Sequence, residues 1–334
     1  MIRTPSLNTA VIGMLACAVL FGLGALGWFL HTPSIVVTNH VNGPVSPLTG
    51  LPCADPGRRP IAVMLSSDPQ ARPLFGLAAA DMVFEMPVTP SGITRMMAVY
   101  QCGQYPSEIG SIRSARQDFI PLAQGLDAIL AHWGGEREAL ERLNHHIIDN
   151  VDALVYEGTV FYRKKDIPRP HNGFSTLALI GAQAARLGYS SAVSVHSYPH
   201  QTQRPDRNLG SLVDRIVIPW PSDMTVEYRY DAATHSYARW RGGEPEIDGA
   251  TGKQVSAGVV IVMDTDASFL RDQYINVRTM GGGTAALYQN GRRLTGLWSK
   301  PTPDDMLIFV DDNGRQIPLA PGAIWVEINA PLTR

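Results

Sequence analysis

Between Arg3 and Asp55 the chain carries no formally charged side chain. Charge is scarce elsewhere too. Asp, Glu, Lys and Arg make up 17% of the 334 residues, below the usual quarter, and the net charge is −2. No basic run occurs, which excludes nucleic acid as a partner. There are three cysteines, with no C-x-x-C, no Cys/His cluster at zinc spacing and no H-E-x-x-H, so no metal site is expected. G-x-G-x-x-G, Walker A and G-x-S-x-G are missing as well. No cofactor is therefore expected, and nothing decides whether the protein is an enzyme.

What the uncharged stretch contains is apolar. Ala10 to Leu30 is an almost unbroken hydrophobic run, and about 20 helical residues at 1.5 Å each cross the roughly 30 Å hydrocarbon layer. Residues 1–31 read first as a retained single-pass anchor. The run is long for a signal-peptide core, and no A-x-A site comes after it. Cleavage as a signal peptide and attachment of lipid to Cys17 are the other two readings. Arg3 and the α-amino group are the only cations before the run, and the next Lys or Arg is Arg58. The positive-inside rule then puts the N-terminus in the cytoplasm and the bulk of the chain outside the cell membrane. Cys53 and Cys102, the two cysteines beyond the anchor, are expected to form a disulfide in that oxidising setting.

Residues 32–47 mix Pro, Gly, Asn and Thr and read as a linker. From there to residue 191 strand-like and helix-like segments alternate. Ile61–Leu65, Met82–Met86, Met96–Gln101 and Asp127–Trp133 read as strands. Helices are expected from an N-cap at Ser114 (kinked or restarted at Pro121), over Glu136–His146, and from Ser175 to Leu187. Residues 48–191 are thus an α/β or α+β domain. Residues 192–334 read as a β-rich C-terminal domain, with Asn290-Gly291 and Asn313-Gly314 as hairpin turns.

Unusual choices concentrate between Glu85 and Arg116. Glu85 sits inside the apolar run VFEMP, where a carboxylate is costly unless paired. Arg113 and Arg116 flank a proposed helix start, a cradle for a carboxylate or phosphate, and Arg95, which precedes an apolar strand, would help to hold it. The plainer alternative is a structural Glu85–Arg95 bridge. His132 ends a strand just before Gly134-Gly135, where open α/β sheets place ligands. His171-Asn172 lies in a Pro-rich loop before a helix. Glu85, His132 and His171 are the candidates for proton transfer; Asp81, Arg95, Ser111, Arg113, Arg116 and Asn172 are those for ligand binding. In the C-terminal half, Tyr228, Tyr230, Tyr237, Arg239 and Trp240 form an aromatic hairpin, with Trp298 and Lys300 beyond it. That group reads either as a docking face or as one side of a β core.

These blocks recur together in one family. Pro47–Pro52, Arg59–Met64, Ala71–Pro73, Asp81, Glu85, Gly92–Arg95, Ile109–Ser111, Arg113–Arg116, His132, Gly134-Gly135 and Pro170–Asn172 resemble the YerB-like family of bacterial lipoproteins. So do Tyr237, Arg239, Gly281–Gly283, Trp298, Lys300 and Gly322–Trp325 in the tail. The resemblance implies an N-terminal domain of unknown function, a YerB C-terminal domain, and an envelope protein held outside the membrane by lipid or by a helix. The mid-run position of Cys17 favours the helix. The function expected is binding or regulation of cell-wall components through an Arg/His/Glu cleft. Alternatives are a hydrolase or lyase acting on peptidoglycan or another anionic glycan, and a non-enzymatic adaptor for an envelope protein complex.

Overall fold

Three short segments, IAVMLS, MVFEMP and TRMMAVY, are buried at every position. Uninterrupted apolar runs of this kind belong to strands covered on both faces. They form β1 (Ile61–Ser66), β2 (Met82–Pro87) and β3 (Thr94–Tyr100), with β3 antiparallel to both neighbours. This computed structural model describes residues 43–103, 105–192, 197–202, 210–220 and 225–333. The apolar run, Cys17 and most of the linker lie outside them. Among the described residues no helix is long and apolar enough to cross a membrane.

On one side β1 pairs in parallel with β5 (Ile129–His132), and β5 with β6 (Asn150–Asp152). On the other side β2 pairs in parallel with β21 (Ile324–Asn329), which pairs in parallel with β15 (Val259–Asp264). Antiparallel β18 (Gly281–Gln289), β19 (Arg292–Lys300), β20 (Ile308–Val310) and β9 (Ser211–Leu212) complete an eleven-stranded sheet. The two halves of the sequence therefore share one sheet, because the last strand inserts beside β2. The Asn290-Gly291 turn joins β18 to β19, and both residues have positive φ (53° and 71°), as a type I′ hairpin requires.

Each face of the large sheet has its own core. Met64, Phe84, Met86 and Met97 pack with Phe119, Leu122 and Leu143 from helical segments. Val63, Val83, Met96 and Trp325 pack on the opposite face, against a second sheet of five strands. That sheet consists of β10 (Arg215–Ile218), β11 (Val226–Asp231), β12 (Ser236–Arg241), β13 (Glu244–Pro245) and β14 (Ser256–Ala257). A small sheet of β4 (Ile109–Gly110), β7 (Tyr162–Arg163) and β8 (Gly173–Ser175) and a hairpin of β16 (Ala267–Arg271) and β17 (Tyr274–Val277) flank the main one.

Two helix starts differ from expectation. Thr176, not Ser175, caps Leu177–Arg186 by accepting from the Leu179 amide; the Ser175 hydroxyl donates to Val160 O instead. Ser114 caps nothing, because Arg116 precedes a 3-10 turn at Gln117–Phe119 that runs into the helix Ile120–Gln124. Pro121 lies in the first turn of that helix, where a missing N–H costs nothing, so it starts the helix rather than kinking one. Cys53 and Cys102 are joined by a disulfide with Cα atoms 5.3 Å apart.

Candidate functional site

Strand register separates Glu85 from Arg95. Glu85 lies opposite Met96, and Arg95 lies opposite Met86 on one side and Ser66 on the other. Opposed residues share a face and successive residues alternate. Arg95 thus points with Met86 and Met97 to the helical face, and Glu85 points with Val83 and Met96 to the second sheet. The bridge considered from sequence does not form.

Glu85 instead joins a dry network between the two sheets. Its Oε2 accepts from Nη2 of both Arg239 and Arg241 at 2.5 Å, and its Oε1 accepts from the Thr94 hydroxyl. Arg239 Nη2 also reaches Glu327 Oε1 at 3.2 Å, its Nε donates to Tyr228 Oη at 2.8 Å, and Tyr228 donates to Glu327 at 2.5 Å. Glu246 pairs with both arginines. Glu85, Glu327, Arg239 and Tyr228 are 0% exposed. Burial alone would raise the Glu85 pKa, but Arg241 and Arg239 pull it below the ordinary carboxylate value. Burial and the Glu85 charge push Glu327 up. The network joins the two sheets, and its outer members Arg241 and Glu246 line a surface cavity together with Arg72 and Ile247.

The other face gathers three arginines against two nearby carboxylates, Asp68 and Glu136. Arg95 is 4% exposed, yet its Nε and Nη1 make no hydrogen bond among the described residues, and no carboxylate there lies within ion-pair distance. Burial, then the charges of Arg116 and Arg113, lowers its pKa to about 9. The loop Ser111–Arg116 runs alongside, pinned by Ser66 N to Ser111 O (3.0 Å), Arg113 N to Met64 O (2.9 Å) and Ala115 N to Gly134 O (2.9 Å). Gly110 opens this loop because a Cβ there would run into the Phe174 ring. Arg113 donates to Pro170 O at 3.3 Å, and Arg116 donates to Ala115 O at 2.8 Å with Glu136 at 3.6 Å. Burial lowers the pKa of both arginines. Ser111 Oγ and His171 Nδ1 are buried and unpaired among the described residues. His171 Nδ1 lies 4.0 Å from Asp68 Oδ2, and burial lowers the His171 pKa against the pull of the Asp68 charge.

Arg95, Ser111, Arg113, Arg116 and His171 are thus drawn together at the carboxyl end of β1. Asp68 and Tyr274 join them, and neither stands out in the sequence. Asp68 had a signal, since Ser66-Ser67-Asp68 ends a buried strand. The Ser66 hydroxyl donates to it at 2.6 Å; against burial, that bond and the Arg95 charge keep its pKa low. Tyr274 arrives from the β16–β17 hairpin, its ring centroid 5.0 Å from the Arg116 guanidinium.

The remaining candidates lie elsewhere. His132 is 0% exposed and pairs through Nδ1 with Gly134 O (2.8 Å) and through Nε2 with Asn150 (3.2 Å). Asp81, at the far end of β2, accepts from the amides of Gln101, Cys102 and Gly103. Asn172 stitches its loop to Arg163 and to Lys164 O. Tyr228, Tyr237 and Arg239 are spent on the core, as are Trp298 and Lys300.

The family described as "Protein of unknown function (DUF3048)" matches twice, its N-terminal domain over residues 48–190 and its C-terminal domain over residues 216–326. The chain belongs to this family. A relative named "Putative lipoprotein YerB" from Bacillus subtilis (strain 168) is 29% identical over 289 residues, covering 85% of each chain. The crystal structure of the YerB protein from Bacillus subtilis superposes with a TM-score of 0.77 at 29% identity, covering 86% of this chain and 97% of that one. The arginine loop lies in the N-terminal family domain and Tyr274 in the C-terminal one, so the cluster draws on both.

Proposed function

We propose that this chain is a membrane-tethered envelope protein whose pocket of Arg95, Arg113 and Arg116 binds an anionic group of a cell-wall glycan. The carrying observation is the buried, unpaired Arg95 guanidinium. Taking an ion out of water costs several kcal/mol; Asp68 offsets part of that for Arg95, and the charges of Arg116 and Arg113 add to it. A bound anion removes it. The disulfide and the likeness to a lipoprotein support a place outside the cytoplasm, and the 10–30 run supplies a single-pass anchor. Glu85 and His132 drop out of the proposed site, which becomes an arginine pocket flanked by Asp68 and His171.

The test is co-sedimentation of the full chain, purified in detergent, with isolated cell-wall sacculi. Wild type is expected in the pellet and Arg95→Gln in the supernatant. Equal retention of both would remove the reading. A second reading, cleavage of the bound glycan, is favoured by the Asp68–His171 pair, which resembles a proton-transfer couple. Release of soluble fragments by wild type but not by His171→Gln would establish it.

A further inference from the structure

We infer that the anion taken by this pocket is a phosphoryl group rather than a carboxylate. The inference rests on the binding reading above and adds the chemical class of the ligand. Buried polar atoms without a partner among the described residues are Nε and Nη1 of Arg95, Nε of Arg113, Nε of Arg116, Oγ of Ser111 and Nδ1 of His171. That is six atoms on five residues at one strand end. A carboxylate offers two oxygens with about four lone-pair sites, and a single forked arginine saturates much of it. A phosphoryl group presents three peripheral oxygens and accepts from several directions at once. Five of the six are N–H or O–H donors, and His171 Nδ1 donates in one tautomer only. Arg116 Nε also lies 3.6 Å from Glu136 Oε2, and the donors that remain still fit the larger acceptor.

Charge points the same way. Three guanidinium groups face one firmly ionised carboxylate, Asp68, whose Oδ2 is already held by Ser66. Glu136 offsets part of the Arg116 charge from 3.6 Å and accepts from the Gln117 amide. Burial raises its pKa, while the Gln117 amide and the Arg116 charge act against that rise. The surplus suits a group carrying more than one negative charge.

The β16–β17 hairpin packs beside the arginine cluster, so its side chains would flank a group esterified to the phosphoryl. Tyr274 stands over Arg116, and Arg271 grips Glu138 through two hydrogen bonds of 2.9 Å. Gln117 reaches Asn276 at 3.1 Å, and Asp118 accepts from the Val277 amide at 3.0 Å. Asp68, Arg113 and Tyr274 are half-buried, polar groups suited to a phosphorylated polyol or sugar. Three terminal oxygens and a second charge require a phosphomonoester, either a terminal phosphate of a polymer or soluble ester or a lipid headgroup.

The experiment is a thermal-shift and calorimetric titration of the full chain in detergent. The probes are inorganic phosphate, glycerol 3-phosphate and acetate at matched ionic strength, and micelles doped with phosphatidic acid. Saturable binding of both phosphates, at least about tenfold tighter than acetate, is expected. Arg95→Gln should abolish it, and Arg95→Lys, which keeps the charge but loses the fork, should weaken it. Preference for phosphatidic acid over glycerol 3-phosphate supports the inference with a lipid source; equal affinity supports it with a soluble or polymeric one. Acetate binding as tightly as phosphate overturns the phosphoryl assignment while leaving sacculus binding untouched. Specific phosphate binding without sacculus binding keeps the phosphoryl assignment and removes the glycan. A wild type that ignores every probe overturns the inference, whatever the sacculi do.

Discussion

Glu85 and Arg95 sit on adjacent antiparallel strands, one register step apart, and their side chains leave the sheet in opposite directions. One sheet therefore carries two charge systems with different fates. On one face the carboxylates of Glu85, Glu246 and Glu327 meet Arg239 and Arg241 in a closed network. On the other face Arg95, Arg113 and Arg116 crowd together with far less compensation. The first arrangement is architecture. The second is the proposed anion site.

Removing Arg95 should stabilise the ligand-free protein. A buried cation without a partner opposes folding, and Arg95→Met fills similar volume without charge. The expected gain is about 1–3 kcal/mol in chemical denaturation without added anions, together with loss of phosphate binding. A structural arginine would give the opposite sign. Denaturation curves of both proteins in a phosphate-free buffer decide it.

Breaking the network on the other face should do the reverse. Glu85→Gln leaves Arg239 and Arg241 sharing fewer charges in a site buried from solvent. A loss of roughly 3–5 kcal/mol is expected, with anion affinity unchanged in the protein that remains folded. Phosphate titration of the variant below its melting temperature separates stability from binding. Weakened affinity there would mean the two faces are coupled.

The sequence showed the strands of the large sheet more clearly than their neighbours. Apolar runs such as IAVML and MVFEM announce buried strands, and Asn290-Gly291 announces its turn. Which face each side chain takes depends on register. Register is a pairing property, so the convergence of Glu85 with Arg95 was a natural but mistaken expectation. Arg95, Ser111, Arg113 and Arg116 were legible because charge next to apolar runs is locally conspicuous. Tyr274 was not, because the hairpin that delivers it lies some 160 residues beyond the arginine loop and nothing in its local pattern refers to that loop. His132 was attractive by position alone, and two hydrogen bonds consume its ring.

Asp118 should give the protein a distinct pH dependence. It is 5% exposed, and burial raises its pKa from 3.8 to about 7 despite the Val277 amide. The folded state holds the proton more tightly than the unfolded state. The stability from this group is therefore complete below about pH 4 and lost as pH rises through 7. At about 1.36 kcal/mol per unit, the loss approaches roughly 4 kcal/mol. Asp118→Asn lacks the titration, so its advantage over wild type should grow from pH 4 to 7 and level off above. Urea denaturation of both proteins across that range measures the difference; a constant offset would show that Asp118 ionises normally.

The Cys53–Cys102 disulfide ties the segment before β1 to the turn after β3, across 49 residues of sequence. Closing a loop of that length restricts the unfolded chain by about 4 kcal/mol in the loop-entropy description. The sulfurs lie where Asp81 already gathers the amides of Gln101, Cys102 and Gly103. Those bonds and the strands beyond them do not depend on the crosslink. The reduced protein should therefore keep its fold and lose roughly 2–4 kcal/mol, for dithiothreitol treatment and for Cys53→Ser with Cys102→Ser alike. Phosphate affinity should be unchanged in both, because the arginine pocket lies at the opposite end of β2. A loss of affinity on reduction would instead make the disulfide part of the binding apparatus.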